Sequence, residues 1–262
     1  MSFREWFFGS GQMNPGFSNP RVNMQWQLPH ILVLLACIGT IIALAFIFRK
    51  KNEKTRKIVL WVLVGVILLF EIVRRIKNIW AMIATGSTST YEVLHILLPR
   101  PWCAISCWAL IIAAIFRKKY MYNAASIMAL LCAIIFFAYP GAGFNNVYME
   151  FENIYSIVTH SLLLVTSISL ITLKFTDFKY KGMWKDLVCV AVIFVYALFE
   201  MYVLKIADNP LYFMPIPGNE IQEILGVGAA LYVVIYCAFL AVFINIFYLI
   251  NDRKTVFKKR KK

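Results

Sequence analysis

The sequence predicts an all-α protein, a polytopic bundle of about seven transmembrane helices. Of the 262 residues, 61% are hydrophobic and only 15% are charged, and the mean hydropathy is +0.71. Soluble domains carry about 25% charged residues, so this composition is typical of a chain whose solvent is lipid. It excludes a soluble enzyme, a secreted disulfide scaffold and a disordered chain. The six cysteines lie in or beside apolar runs without metal-binding spacing, so we expect no metal and no organic cofactor.

Seven apolar runs are each long enough to cross a bilayer as a helix. They are residues 29–48, 58–84, 97–116, 121–138, 153–173, 187–204 and 222–250. Charged residues interrupt the second run, so a shorter helix ending near Val73, followed by an interfacial piece, is an alternative. The runs define a membrane domain over residues 29–250. An extracytoplasmic segment, residues 1–28, precedes it, and a basic cytoplasmic tail, residues 251–262, follows it.

Basic residues are concentrated in alternate connections between these runs. They occur in residues 49–57, 117–119, 174–185 and 253–262, whereas residues 140–152 and 208–221 contain no Lys or Arg. Because basic loops stay in the cytoplasm, we expect the N-terminus outside and the C-terminus inside, which requires an odd number of spans. The net charge of +14 is thereby explained by topology. We expect a multi-pass protein of the plasma membrane whose partners are membrane lipids, with no nucleic acid.

Several charged side chains fall within the predicted spans, where an ionisable group costs about 2.5–3.5 kcal/mol on insertion scales. Glu71 lies near the middle of the second span, with Arg74 and Arg75 one turn later, and Glu200 lies in the outer half of the sixth. One interpretation is an intrahelical ion pair that offsets its own burial. The other places Arg74 or Arg75 at an outward cavity, where a guanidinium binds a phosphate through two hydrogen bonds, and Arg100 is a further candidate for holding a headgroup phosphate.

The third span opens with two prolines, Pro99 and Pro101, so its helix begins at about Pro101. Cys103 then lies in the first turn, where the helix dipole favours a thiolate. His160 lies about two turns into the fifth span, at a similar predicted depth. Imidazole is the usual base for a cysteine nucleophile. Packing through a hydrogen bond is the alternative for His160, and His95 is an alternative base.

Motifs at these positions resemble the YwaF family of bacterial integral membrane proteins. They are Leu-Pro-x-x-x-Cys at residues 98–103, a His followed by small and aliphatic residues at 160–163, a basic-aromatic turn at 182–186, an Asn-x-x-Tyr loop at 209–214 and Leu-Gly at 225–226. That family is similar to eukaryotic membrane acyltransferases that move acyl chains between phospholipids. The resemblance implies that Cys103 is the acyl-accepting nucleophile and His160 the base. The sequence departs from bacterial members at Pro101, where they often carry His or Gln.

The leading functional hypothesis is a phospholipid acyl-transfer or acyl-hydrolase enzyme acting at the outer leaflet. In this hypothesis His160 deprotonates Cys103, an arginine holds the headgroup phosphate, and Glu200 orients His160. The alternative is a non-enzymatic transporter or small-molecule-binding protein, with Glu71, Glu200 and the arginines lining its site. A structural partner within a larger membrane complex is a third possibility.

Overall fold

The structure is a computed structural model that describes residues 28–86, 89–138, 150–207, 209–215 and 220–252. Within these residues the chain is helical, with no strand. The helices are α1 Leu28–Phe48, α2 Glu53–Ala84, α3 Thr90–Leu97, α4 Trp102–Phe116, α5 Lys119–Ala138, α6 Phe151–Thr172, α7 Met183–Leu198, α8 Glu220–Leu225 and α9 Ala229–Asn251. A 3₁₀ turn, Tyr180–Gly182, precedes α7, and a π-helical segment, Phe199–Leu204, continues it. Nearly all of the predicted N-terminal segment and basic tail lies outside the described residues.

The surface of the bundle is apolar over most of its helices. Large side chains such as Phe46, Trp80 and Val242 are more than half exposed, which water would penalise and lipid does not. Five described helical segments are long and apolar enough to cross a membrane: Leu28–Phe48, Lys119–Ala138, Phe151–Thr172, Tyr180–Leu204 and Ala229–Asn251. The chain is therefore a multi-pass membrane protein. The count of seven spans, the orientation of the termini and the plasma membrane remain predictions.

The third predicted span is a broken helix. Helices α3 and α4 together have the apolar length of a span but are bent by 61° across residues 98–101. Pro101 is the N-cap of α4, with extended backbone and no side-chain capping bond. The prediction that this helix begins at about Pro101 is confirmed, but the run that starts at residue 97 is not one helix, because the two prolines interrupt it.

Two other predicted boundaries change. Helix α2 continues past Val73 to Ala84 without a break, so the shorter alternative is wrong. Its 32 residues include enough charged side chains that it is not among the five apolar spans. The last predicted run divides into α8 and α9, because Gly226 takes a positive φ of 61° that ends α8. The final membrane helix therefore begins at Ala229 rather than at residue 222.

Helices α4, α5 and α6 form the centre of the bundle. Their buried faces carry many small side chains, which let helix backbones approach closely in a membrane. The fully or almost fully buried alanines are Ala104, Ala113 and Ala114 on α4 and Ala124, Ala125, Ala129 and Ala133 on α5. Helices α1 and α9 expose mostly apolar side chains of the kind that contact lipid, and they pack at the periphery of the bundle.

Hydrogen bonds bring the connections that carry the basic residues to one end of the bundle. The bonds run from Arg56 to the Leu173 carbonyl at 2.6 Å, from the Asp177 N–H to Asn123 at 3.1 Å and from the Tyr180 N–H to Asp252 at 3.1 Å. They join the start of α2, the start of α5, the connection before α7 and the end of α9. The clustering that the charge pattern predicts is thus present in the fold, whichever way the bundle is oriented in the membrane.

A buried carboxylate holds three helices together at the same end. Asp186, in the first turn of α7, is 3% exposed. Its Oδ2 accepts hydrogen bonds from the Asn123 amide of α5, at 2.8 Å, and from the Tyr248 hydroxyl of α9. Because each donor is buried, removal of the shared acceptor leaves two polar groups without a partner.

We therefore expect Asp186→Ala to lower the stability of the bundle by about 1–3 kcal/mol. The measurement is thermal unfolding of the purified protein in detergent, followed by the loss of helical circular dichroism. Glu223→Ala, which removes an exposed carboxylate on α8, is the control and leaves the melting temperature unchanged. Equal melting temperatures for both variants and the unaltered protein would contradict the role given to Asp186.

Candidate functional site

The centre of the candidate site is the Glu71 carboxylate of α2, which is 1% exposed. Its Oε2 accepts hydrogen bonds from the Arg75 guanidinium and from the Trp108 indole N–H of α4, the latter at 3.1 Å. Its Oε1 accepts a hydrogen bond from the Tyr155 hydroxyl of α6. One carboxylate thus connects three helices, and the charge that the sequence places in a span is satisfied by three hydrogen-bond donors.

Arg75 extends this network to the broken helix. Its Nη1 also donates to the Glu71 backbone carbonyl at 3.0 Å, and its Nε donates to the Leu97 carbonyl, the last residue of α3, at 3.2 Å. The guanidinium carbon lies 5.3 Å from the centre of the Trp108 ring, within cation–π range. The predicted intrahelical ion pair is therefore present between Glu71 and Arg75, and the same arginine caps the end of α3.

Arg74 faces a different acid, Glu152 at the start of α6. Its Nε lies 3.8 Å from a Glu152 oxygen, and its guanidinium carbon lies 4.9 Å from the centre of the Tyr155 ring. Lys77, buried one turn further along α2, donates to the other Glu152 oxygen at 2.6 Å. Glu71, Arg74 and Lys77 follow one another at intervals of three residues, so they share one helix face.

Sequence reasoning did not assign a role to four members of this network: Lys77, Trp108, Glu152 and Tyr155. Two signals were available. Glu152 and Tyr155 lie three residues apart at the start of a span, and Lys77 lies three residues after Arg74. Neither signal identifies which helices meet, so the network becomes visible only in the fold.

Cys103 lies in the first turn of α4, directly after the Pro101 cap, and is partly exposed. Its thiol is within electrostatic range of the Arg74 guanidinium and of the Glu71 carboxylate. Desolvation within the bundle is the largest effect and opposes a thiolate, as does the Glu71 carboxylate, whereas the Arg74 guanidinium and the start of a helix favour it. Cys103 thus adjoins the arginine network, as does Cys107 one turn later, which interacts electrostatically with Glu71 and Arg75.

His160 lies on α6, two turns after Glu152. Its Nδ1 is 2.7 Å from the Ser156 carbonyl oxygen, and its ring stacks on Phe136 of α5 with centroids 3.8 Å apart. Because a carbonyl can only accept, Nδ1 carries the hydrogen in the neutral ring and Nε2 keeps its lone pair. This is the tautomer that a general base at Nε2 requires. In the part of the chain described here, no hydrogen bond joins His160 to Cys103.

Glu200 lies in the π-helical segment and is fully buried. Its Oε1 accepts from the Tyr196 hydroxyl at 2.8 Å, and its Oε2 has no hydrogen-bond partner among the described residues. It interacts electrostatically with Arg100. The structure therefore gives Glu200 a partner other than His160, whose Nδ1 is already bonded to a backbone carbonyl.

Arg100 lies in the extended stretch between α3 and α4. Its Nε donates to the His95 carbonyl at 2.9 Å and its Nη1 to the Ile206 carbonyl at 3.1 Å. With Arg74, Arg75 and His95 it lines a narrow cleft of about 10 Å³, room for about one water molecule. Three of its eight lining residues are arginines, and their guanidinium groups suit a small anionic group such as a phosphate oxygen. Within the described residues, no group of three His, Cys, Asp or Glu side chains is placed to hold a metal ion.

Replacement of Glu71 by alanine, which removes every side-chain acceptor, should destabilise the fold more than replacement by glutamine, which removes only the charge. Glu71→Ala leaves Trp108 and Tyr155 without their acceptor and Arg75 without its counter-ion, and we expect a loss of about 3–5 kcal/mol. Glu71→Gln keeps one acceptor and should lose less. Unfolding by denaturant in mixed micelles measures the free energy of unfolding of both variants. The double variant, Glu71→Gln with Arg75→Gln, should lose less of this free energy than the sum of the two single variants. Additive losses would mean that the two groups are not coupled.

Comparison with known proteins identifies the family. The sequence model of the TMEM164 family matches residues 25–256, which includes every described helix. No curated protein and no solved structure matches this sequence. The resemblance to YwaF proteins is therefore wrong as an assignment, because the match over nearly the whole chain is to a different family. The chain belongs to the TMEM164 family.

Proposed function

We propose that this membrane protein transfers acyl chains between phospholipids, with Cys103 as the nucleophile and His160 as the base. The observation that carries the proposal is the position of Cys103 at the start of α4, within electrostatic range of Arg74 and two residues after Pro101, which lines the cleft. A nucleophile next to a phosphate-binding group is the arrangement that attack on a phospholipid ester needs.

The arginines have unequal roles in this proposal. Arg75 is committed to Glu71 and to the Leu97 carbonyl, so it mainly holds the cleft in shape. Arg74 is 22% exposed, and its nearest acidic oxygen lies 3.8 Å away. It is therefore the group we assign to the headgroup phosphate, together with Arg100, which lines the same cleft. The phosphate would sit at the level where the ends of helices meet the lipid headgroups.

The proposed reaction passes the acyl group from a donor phospholipid to Cys103 and then to an acceptor lysophospholipid. The His160 Nε2 takes the Cys103 thiol proton, directly or through one water, and the thiolate attacks the ester carbonyl of a donor phospholipid. The ester C–O bond breaks, and the leaving lysophospholipid oxygen takes the proton from His160. The hydroxyl of an acceptor lysophospholipid then attacks the thioester, and His160 takes its proton. The C–S bond breaks, and the departing Cys103 sulfur takes that proton from His160, which restores the thiol and the neutral imidazole. Water in place of the acceptor gives hydrolysis.

The test of the nucleophile uses purified protein and a phospholipid labelled in its acyl chain. We expect the unaltered protein to form a labelled thioester that hydroxylamine cleaves, and Cys103→Ala to lose both the thioester and roughly 1,000-fold or more of the transfer rate. His160→Gln should slow formation of the thioester. Cys237→Ala removes an exposed cysteine of α9 and is the matched control. Transfer by Cys103→Ala, or no thioester in the unaltered protein, contradicts the proposal.

A second test asks whether Arg74 recognises the phosphate. Arg74→Gln should lower kcat/KM about tenfold for a phospholipid and much less for a diacylglycerol that lacks the phosphate, since a charge-assisted bond is lost only with the first substrate. Steady-state rates with both substrates in the same micelles measure this. Equal losses on both substrates would mean that Arg74 acts on Cys103 rather than on the headgroup.

The competing function is a non-enzymatic transporter or small-molecule-binding protein. The observation that favours it is the buried Glu200, whose Oε2 lacks a hydrogen-bond partner among the described residues within a membrane bundle. Reconstituted liposomes separate the two functions. Solute flux that survives Cys103→Ala and disappears in Glu200→Gln favours transport, and acyl transfer that disappears in Cys103→Ala favours the enzyme.

A further inference from the structure

A second cationic cleft lies at the opposite end of α2 from the candidate site. It is lined by five residues, all of them basic: Arg49, Lys50 and Lys51 after α1, Arg56 in the first turn of α2, and Lys174 after α6. Its volume is about 520 Å³, enough for a phosphorylated headgroup. Arg56 and Arg74 are eighteen residues apart on one helix, so the two clefts are about 27 Å apart along its axis.

The fold brings these cations together by short, hydrogen-bonded connections. Only four residues separate α1 from α2, and the Lys51 N–H donates to the Phe48 carbonyl at 3.0 Å. Arg56 donates to the Leu173 carbonyl at 2.6 Å, which fixes the start of α2 against the end of α6. Lys174 has a positive φ of 66°, which ends α6 and turns the chain beside Arg56. The cleft is therefore formed by ordered backbone.

The lining cations form no close ion pairs among the described residues, although Arg56 interacts electrostatically with Glu53. Glu53, the nearest acid in sequence, pairs with Lys57 at 2.6 Å and does not line the cleft. None of the five lining residues takes part in an ion pair within the described chain. The Arg56 Nε is buried there without a hydrogen-bond partner. Five like charges around one cleft repel one another, and a bound anion would relieve that repulsion.

Membrane topology alone does not require that basic side chains from separate connections line one cleft. A basic loop retains a helix end in the cytoplasm wherever its Lys and Arg side chains point, and separated charges repel less. Here side chains from two different connections, far apart in sequence, line the same cleft. The two arginines add paired N–H donors of the kind that bind phosphate oxygens.

Exposed apolar side chains near the lining residues along the chain favour a lipid over a soluble anion. Phe46 and Ile47 precede Arg49 by three and two residues, Ile58 follows Arg56 by two, and they are 89%, 52% and 55% exposed. Acyl chains can lie against these apolar side chains while the headgroup occupies the cleft. We propose that residues 49–51, Arg56 and Lys174 bind the phosphorylated headgroup of an anionic membrane lipid, in the leaflet opposite to the candidate catalytic site.

The experiment measures the binding of a fluorescent dioctanoyl phosphatidylinositol bisphosphate to the purified full-length protein in neutral detergent. Lys50→Gln combined with Lys51→Gln is the test variant, because both side chains are exposed and no described helix contact depends on them. Lys181→Gln combined with Lys185→Gln removes the same charge from exposed positions outside the cleft. We expect the cleft variant to bind about tenfold or more weakly and the control to bind as the unaltered protein does.

Three outcomes would overturn the proposal: no binding by the unaltered protein, equal weakening in both variants, or inositol hexakisphosphate binding as tightly as the lipid. The second would mean that net charge alone attracts the probe, and the third would mean that the ligand is a soluble polyphosphate. Arg49→Gln is a second variant of the cleft, since Arg49 is an exposed lining residue. Loss of the thermal shift that the lipid produces supports the site, and retention of that shift opposes it.

Discussion

The buried Glu71 carboxylate is the interaction on which the arrangement of the candidate site depends. A carboxylate in a low-dielectric bundle is stable only when hydrogen-bonded and paired, and this one has a guanidinium, an indole and a phenol as donors. The donors come from α2, α4 and α6, so the charge fixes the approach of all three helices. Trp108 lies five residues after Cys103 on α4, and the same bond that satisfies Glu71 therefore fixes the position of the thiol.

The arginines of the candidate site also satisfy backbone carbonyl groups at the break between α3 and α4. Irregular backbone inside a membrane bundle exposes carbonyl groups that lipid cannot satisfy. The prolines create such a stretch at residues 98–101, and Arg75 and Arg100 donate to the Leu97 and His95 carbonyls at its edge. The arginines around the cleft therefore have a structural role that does not depend on any ligand. Arg74 makes no such backbone bond in the described structure, which separates it from the other two.

The sequence predicts what depends on local pattern and misses what depends on which helices meet. The Pro101 boundary and the joint position of the basic connections follow from proline stereochemistry and charge, whereas two of the apolar runs are divided, at residues 98–101 and at Gly226. Tyr155 and Glu152 could not be assigned, because an apolar helix gives no signal of the face that meets α2. The family assignment failed because its motifs were a few residues each, in apolar surroundings common to many membrane proteins. Gly226 was a sufficient signal for the start of α9 but lies inside an apolar run.

The two cationic clefts differ in how many acidic side chains lie near their basic residues, and this difference predicts headgroups of different net charge. Near the candidate catalytic site, Glu71 pairs with Arg75, and Glu152 lies close to Arg74 and Lys77, so the local charge is only partly positive. A zwitterionic headgroup, with one phosphate and one ammonium, suits such a site. At the other end the lining is entirely basic, and the nearest acid is bonded elsewhere. A headgroup with net negative charge suits that cleft, because it alone supplies the missing counter-charge.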